Sequence, residues 1–188
     1  MGTILVGTSA WSDHDAFYPP GTKPAEQLPF YARTFPVVEV NTTYYRVPPR
    51  RTVEGWAERT PAGFVFDVKP PRALTGTPER PRGEAPEPDA DLAAAFAEAI
   101  APLAEAGKLG AVTVQFPPSW RNTEEHREYL RLLPELLPYP IAVEFRRRDW
   151  LDEAHAQETL DLLREVGLSY TMVDEPSSGR AACRRSTG

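Results

Sequence analysis

Residues 91–116 read DLAAAFAEAIAPLAEAGKLGAVTVQF, and two periodicities meet within them. Leu92, Phe96, Ile100 and Leu103 recur at helical spacing and predict a helix over Asp91–Ala106 with one apolar stripe. Gly107 stands where a C-cap is expected. The β-branched and apolar run Ala111–Phe116 then predicts a strand. A helix passed by a glycine into a strand is half of a βαβ unit, so the same pattern should repeat on both sides. Five further runs of strand character flank it: Thr3–Val6, Val37–Val40, Phe64–Val68, Ile141–Phe145 and Ser169–Val173. Helical spacing returns at Glu124–Leu137, through Tyr129, Leu130, Leu132 and Leu133, and at Leu151–Val166, through Leu160, Leu162 and Leu163, with Gly167 as its cap. Weaker helical signals cover Ala25–Thr34 and Thr52–Arg59.

Alternation of this kind predicts a parallel sheet wrapped by helices, because parallel neighbours need a crossover. A doubly wound sheet and a (β/α) barrel both satisfy it. No GxGxxG or GxxxxGK[ST] loop follows any strand, and that weighs toward the barrel. A chain of 188 residues with 41% hydrophobic content has enough apolar mass for one medium domain, and no internal repeat or second domain is visible. The net charge of -6 supplies no global basic field, which argues against nucleic acid as a partner. One cysteine, Cys183, excludes an internal disulfide, and His14, His126 and His155 are scattered without zinc spacing, so no metal and no cofactor is expected. The absence of a signal-peptide pattern and of any membrane-length apolar run completes the expectation of a cytoplasmic protein with no membrane partner. The sequence carries no signal for oligomeric state. Six prolines lie between Pro70 and Pro88 with no periodic pattern, which predicts a long mobile loop, either a passive insertion or a lid.

Side chains alternate along a strand, so the polar parity of each run indicates where chemistry would sit. In Val38-Glu39-Val40-Asn41 the valines share one face and Glu39 with Asn41 the other; in Phe64–Lys69, Asp67 and Lys69 oppose the phenylalanines. Thr113 with Gln115, Glu144 with Arg146, and Asp174 after Met172 repeat the pattern. A parallel sheet is covered on both faces, so such groups need a cavity, and the C-terminal mouth of a barrel is one. These residues are therefore expected to converge at one end of the sheet. Glu39 and Glu144 are the acid/base candidates, with Lys69 as a third catalytic candidate that stabilises an anion or forms a Schiff base. Arg146 fits a carboxylate or phosphate through two parallel hydrogen bonds. Trp11, Asn41, Tyr45, Arg46, Gln115 and Asp174 complete the substrate-binding candidates, and Tyr44, Trp120 and Trp150 also follow strands, where aromatic walls would stack a ligand. The structural alternatives are ion pairs, Glu144 with Arg146 and Lys69 with Asp67 or Glu144.

The blocks Gly7-Thr8-Ser9-Ala10-Trp11-Ser12, Phe17-Tyr18-Pro19, Val38–Arg46, Trp56 with Thr60-Pro61, Phe64–Lys69, Gln115-Phe116-Pro117-Pro118, Glu144-Phe145-Arg146 and Trp150 resemble, in the same order, the YecE-like family, domain of unknown function 72. The resemblance implies a TIM-like barrel with no established activity. It also exposes two departures. Members of the family carry a Thr-His pair in the loop after the third strand, where this chain has Thr75-Gly76, and they continue into a later strand with an Arg-x-His-Gly-like motif that is absent here.

A complete barrel has eight strands and typically ~250 residues. Only six strand signals are present, and after Glu175 the composition turns basic through Arg180, Arg184 and Arg185 without apolar periodicity. The expectation is a TIM-like barrel domain over residues 1–176, truncated to about six βα units, and an unstructured tail over 177–188. Such a barrel would leave its first and sixth strands uncovered, along with interior apolar groups such as Leu5 and Met172. Functionally it reads as an enzyme-like barrel that binds a small polar or anionic molecule at its mouth. The rival readings are a non-catalytic module for a nucleic-acid end or protein partner, and an inactive fragment.

Overall fold

Strand and helix alternate along the chain as β1 (Gly7–Ser9), α1 (Pro24–Tyr31), β2 (Val37–Val40), α2 (Arg50–Glu58), β3 (Val65–Val68), α3 (Ala90–Glu105), β4 (Leu109–Phe116), α4 (Glu124–Leu136), β5 (Ile141–Phe145), α5 (Ala156–Glu165) and β6 (Ser169–Tyr170). The structure is a computed structural model and describes residues 2–76 and 84–174. Six parallel strands, each connected to the next by a helix, are the α/β repeat of a TIM-like barrel.

The chain divides into two compact units, residues 1–69 with 95–111, and residues 70–94 with 112–188. In the first unit β1, β2 and β3 pair in parallel, with Ser9 opposite Glu39 and Glu39 opposite Asp67. Val38, Val40, Phe66 and Val68 are buried, in company with Leu28, Tyr31, Val53, Trp56, Phe96, Ile100 and Leu103 from the helices. Alternation then leaves Glu39 and Asp67 half-buried on the opposite face. In the second unit β4, β5 and β6 pair in parallel, with Gln115 opposite Glu144. Its core is aromatic: Phe116 stacks on Trp120 at 4.1 Å between ring centres, and Phe145 on Trp150 at 4.4 Å.

The helix and strand of residues 91–116 stand as their periodicity predicts, and Gly107 and Gly167 follow α3 and α5 with φ of 64° and 75°. Elsewhere the chain departs from the sequence reading. Thr3–Val6 is not a strand; Ile4 and Val6 are 90% and 65% exposed, and pairing begins at Gly7. There the Val37 carbonyl comes so close that a Cβ would overlap it, so the strand starts where the side chain stops. The last strand spans only Ser169–Tyr170, and Leu5 and Met172 are exposed. The fifth helix starts at Ala156 instead of Leu151, because Asp152 Oδ1 accepts the backbone N–H groups of Ala154 and His155 and closes a turn first. Part of the Pro70–Pro88 segment is packed: Arg72–Leu74 forms a 3-10 turn, Leu74 and Thr75 are buried, and Tyr129 donates to the Leu74 carbonyl at 2.8 Å. Leu74 supplies an apolar anchor that the proline count hides. Residues 84–89 have no regular structure, whereas 77–83, the tail at 177–188 and Cys183 lie outside the described residues.

Candidate functional site

The C-terminal ends of β1, β2 and β3 bring Ser9, Glu39, Asn41, Asp67 and Lys69 to one face of the first unit, Ser9, Glu39 and Asp67 by strand register and Asn41 and Lys69 by parity. Glu39 is the hub. Ser9 Oγ donates to Glu39 Oε2 at 3.0 Å, and the Lys69 ammonium lies 3.5 Å from Oε1. Asn41 Nδ2 donates to Ser9 Oγ, while Asn41 Oδ1 is buried with no hydrogen-bond partner.

The backbone around this cluster is fixed by local devices. Thr43 is buried at the start of a turn after β2, and its hydroxyl is within bonding distance of the carbonyls of Val40 (3.2 Å) and Lys69 (2.6 Å). With the Lys69 N–H donating to Val40 O at 3.1 Å, the ends of β2 and β3 are tied together. Ala10, next to Ser9, has φ of 59°, a left-handed conformation that a Cβ disfavours. Its N–H donates to the Glu39 carbonyl at 2.9 Å, which holds the strained residue in place. Asp67 Oδ1 accepts the Ala111 N–H at 3.0 Å and crowds Gly110, where any Cβ would collide with the carboxylate. Burial pushes the Asp67 carboxyl above its ordinary range, and the charge of Glu39 adds to that. Two carboxyls in unlike environments, one paired with a cation and one held toward its protonated form, are the pattern that proton-transfer sites use.

In the second unit Gln115 Nε2 donates to Glu144 Oε1 at 2.9 Å, and the same oxygen meets the Arg146 guanidinium. The ion pair considered from sequence thus forms. Lys69 pairs with Glu39, a partner the sequence reading had not assigned to it.

The remaining candidates are spread more widely. Trp11 is half-buried, edge-on to Trp56 at 5.6 Å. Tyr45, Arg46 and Asp174 are exposed, and Asp174 follows β6 outside any strand. Trp120 and Trp150 correct the aromatic-wall reading: they are 2% and 0% exposed, and the Trp150 indole donates to the Trp120 carbonyl at 3.0 Å, so they are core. Ser9 was missed as a site residue because an uncharged serine in a short strand carries no chemical signal until its partner is known. Asp67 was legible by parity and lay on the correct face.

Two other buried ionisable groups have structural work. Lys108 donates to the carbonyls of Ala57 (2.6 Å) and Thr60 (2.7 Å) and to Thr60 Oγ1 (3.1 Å), closing the C-terminal end of α2. Burial lowers its pKa. His126, fully buried in the first turn of α4, has Nδ1 2.8 Å from the Thr123 hydroxyl and its ring 4.0 Å from Trp120; burial pushes its pKa down. Among the described residues no group of His, Cys, Asp and Glu is placed to hold a metal ion, and no helix is long and apolar enough to cross a membrane.

Residues 5–187 match the profile of "Protein of unknown function DUF72". The chain is 34% identical over 181 residues to UPF0759 protein YunF of Bacillus subtilis, covering 95% of this chain and 63% of that protein. It is 28% identical over 174 residues to UPF0759 protein YecE of Escherichia coli K12, covering 91% of this chain and 59% of the relative. A crystal structure of a DUF72 family protein from Enterococcus faecalis V583 superposes with a TM-score of 0.85 at 29% identity, over 97% of this chain and 65% of that one. One from Thermotoga maritima MSB8 gives 0.79 at 33% identity, over 96% and 68%. The chain therefore spans about three fifths of the length of the curated relatives it matches.

Proposed function

Since the chain belongs to the DUF72 family, whose name assigns no activity, we propose from the chemistry of its strand ends that it is an enzyme-like barrel binding a small polar ligand, with Glu39 as the proton-transfer group. The carrying observation is the placement of one carboxylate between a hydroxyl and an ammonium, at 3.0 and 3.5 Å, beside a second carboxyl biased toward protonation. In this reading Lys69 stabilises charge that develops on the ligand, and Asn41 and Ser9 orient it. Glu144, with Gln115 and Arg146 around it, is the corresponding acid/base candidate of the second unit.

The rival reading, a binder of nucleic-acid ends, needs a basic rim. Arg33 precedes β2 and lies 4.8 Å over the Phe30 ring, whereas Arg50 follows β2 and is paired with Glu54 and Glu105 at 3.2 and 3.0 Å. A guanidinium engaged by two carboxylates offers little net positive charge to a phosphate, which supports the small-ligand reading.

A ligand screen by thermal shift, run on this chain and on the full-length Bacillus subtilis relative, tests the proposal. A compound that stabilises both should lose its effect in Glu39→Gln. Equal stabilisation of wild type and Glu39→Gln by every hit would overturn it.

A further inference from the structure

We infer that the ligand of the Ser9–Glu39–Asn41–Lys69 cluster is a neutral polyhydroxylated molecule, of the sugar or polyol class, and not an anion. This rests on the reading above that the cluster binds a small ligand. The argument begins with charge. Lys69 faces Glu39 at 3.5 Å, so the cation the cluster offers is already matched by a carboxylate. In the second unit Arg146 is matched by Glu144 in the same way. An anion entering either cluster must compete with the carboxylate that already faces its cation, Glu39 at 27% and Glu144 at 14% side-chain exposure, where water screens little.

Hydroxyl groups face the opposite situation. Each donates one hydrogen bond and accepts others, and the first cluster offers both roles side by side. Asn41 Oδ1 is a buried acceptor without a partner, a group that costs about 1–3 kcal/mol when left dry and is relieved by an O–H donor. An ionised carboxylate has no proton to give it, and a phosphate could give one only by bringing its charge against Glu39. A carboxylate accepts and an ammonium donates, so Glu39 and Lys69 present side by side the two roles that a hydroxyl uses. Asp67 stands opposite Glu39 on the same face, its carboxyl pushed above the ordinary range by burial.

Uniformly 15N-labelled full-length chain titrated with xylitol, D-glucose, inorganic phosphate and malonate decides it. The readouts are the Asn41 side-chain amide and the Ser9 backbone amide. Polyols are excluded from protein surfaces and stabilise folded chains nonspecifically, so only a saturable and localised shift counts as binding. Xylitol or glucose should move both signals to saturation, and Asn41→Ala or, at the exposed position, Ser9→Ala should weaken that binding about tenfold, equivalent to ~1.4 kcal/mol. Phosphate and malonate should leave the signals in place. Saturation by phosphate or malonate that Lys69→Met abolishes would overturn the neutral class and leave the binding site standing. If no probe moves the two signals, or polyols cause only a uniform drift, the site reading falls with it.

Discussion

Replacing Ala10 by glycine should cost almost nothing, although the residue is buried. Ala10 and Ala32 are both 8% exposed, but Ala10 has φ of 59° and Ala32 has φ of -66°. Losing the methyl forfeits about 0.8 kcal/mol of burial at either site. Glycine adds about 0.4–1 kcal/mol through the greater freedom of the unfolded chain. Ala32→Gly should therefore destabilise by about 1.2–1.8 kcal/mol. At Ala10 the left-handed backbone strains an L-residue by about 1–2 kcal/mol, and glycine relieves it, which brings the net change close to zero. The two variants should differ by about 1–2 kcal/mol, or roughly 2–8 °C in Tm for a chain of this size. Urea titration of both variants with equal m-values is the assay. If Ala10→Gly loses as much as Ala32→Gly, Ala10 is not strained and the reading that its hydrogen bond to the Glu39 carbonyl holds a strained backbone collapses.

Thr43→Val preserves shape and removes the hydroxyl shared by the Val40 and Lys69 carbonyls; it should cost about 1–2 kcal/mol and weaken any ligand whose binding depends on Lys69, as read by denaturation and by the titrations above. Because burial lowers the pKa of His126 in the folded state, the unfolded chain takes up its proton first as pH falls, so stability should drop between about pH 7 and pH 5. His126→Gln should flatten that slope, and an unchanged pH profile would show that the imidazole is not held neutral.

The repeat of helix and strand was legible because α3 carries Phe96, Ile100 and Leu103 on one buried stripe and hands over to β4 through a short turn that contains Gly107. Parity placed Glu39 and Asp67 on their common face for an equally local reason, that a strand reverses side with every residue. What escaped is non-local. The apolar run Ile4–Val6 has strand propensity but little cover, and the place of β1 is decided by how closely Gly7 approaches Val37. Trp120 and Trp150 follow strands as rim residues would, yet the chain turns them inward onto Phe116 and Phe145. Ser9 acquires its meaning from Glu39, thirty residues away. The φ of Ala10 leaves no trace in composition.

Lys108 gives the protein a built-in chemical gauge. The chain has three lysines, Lys23, Lys69 and Lys108, and they occupy three grades of accessibility: exposed, 16% side-chain exposure beside Glu39, and buried with its ammonium on three oxygens. A lysine drawn toward its neutral form is ordinarily the quickest to be acylated, but at Lys108 the reagent has no approach and the nitrogen no idle valence. Pulse acylation followed by peptide mass spectrometry would thus separate three events in one sample. Lys23 reports reagent dose, Lys69 reports occupancy of the cluster, and Lys108 is marked only in molecules whose α2 has come undone.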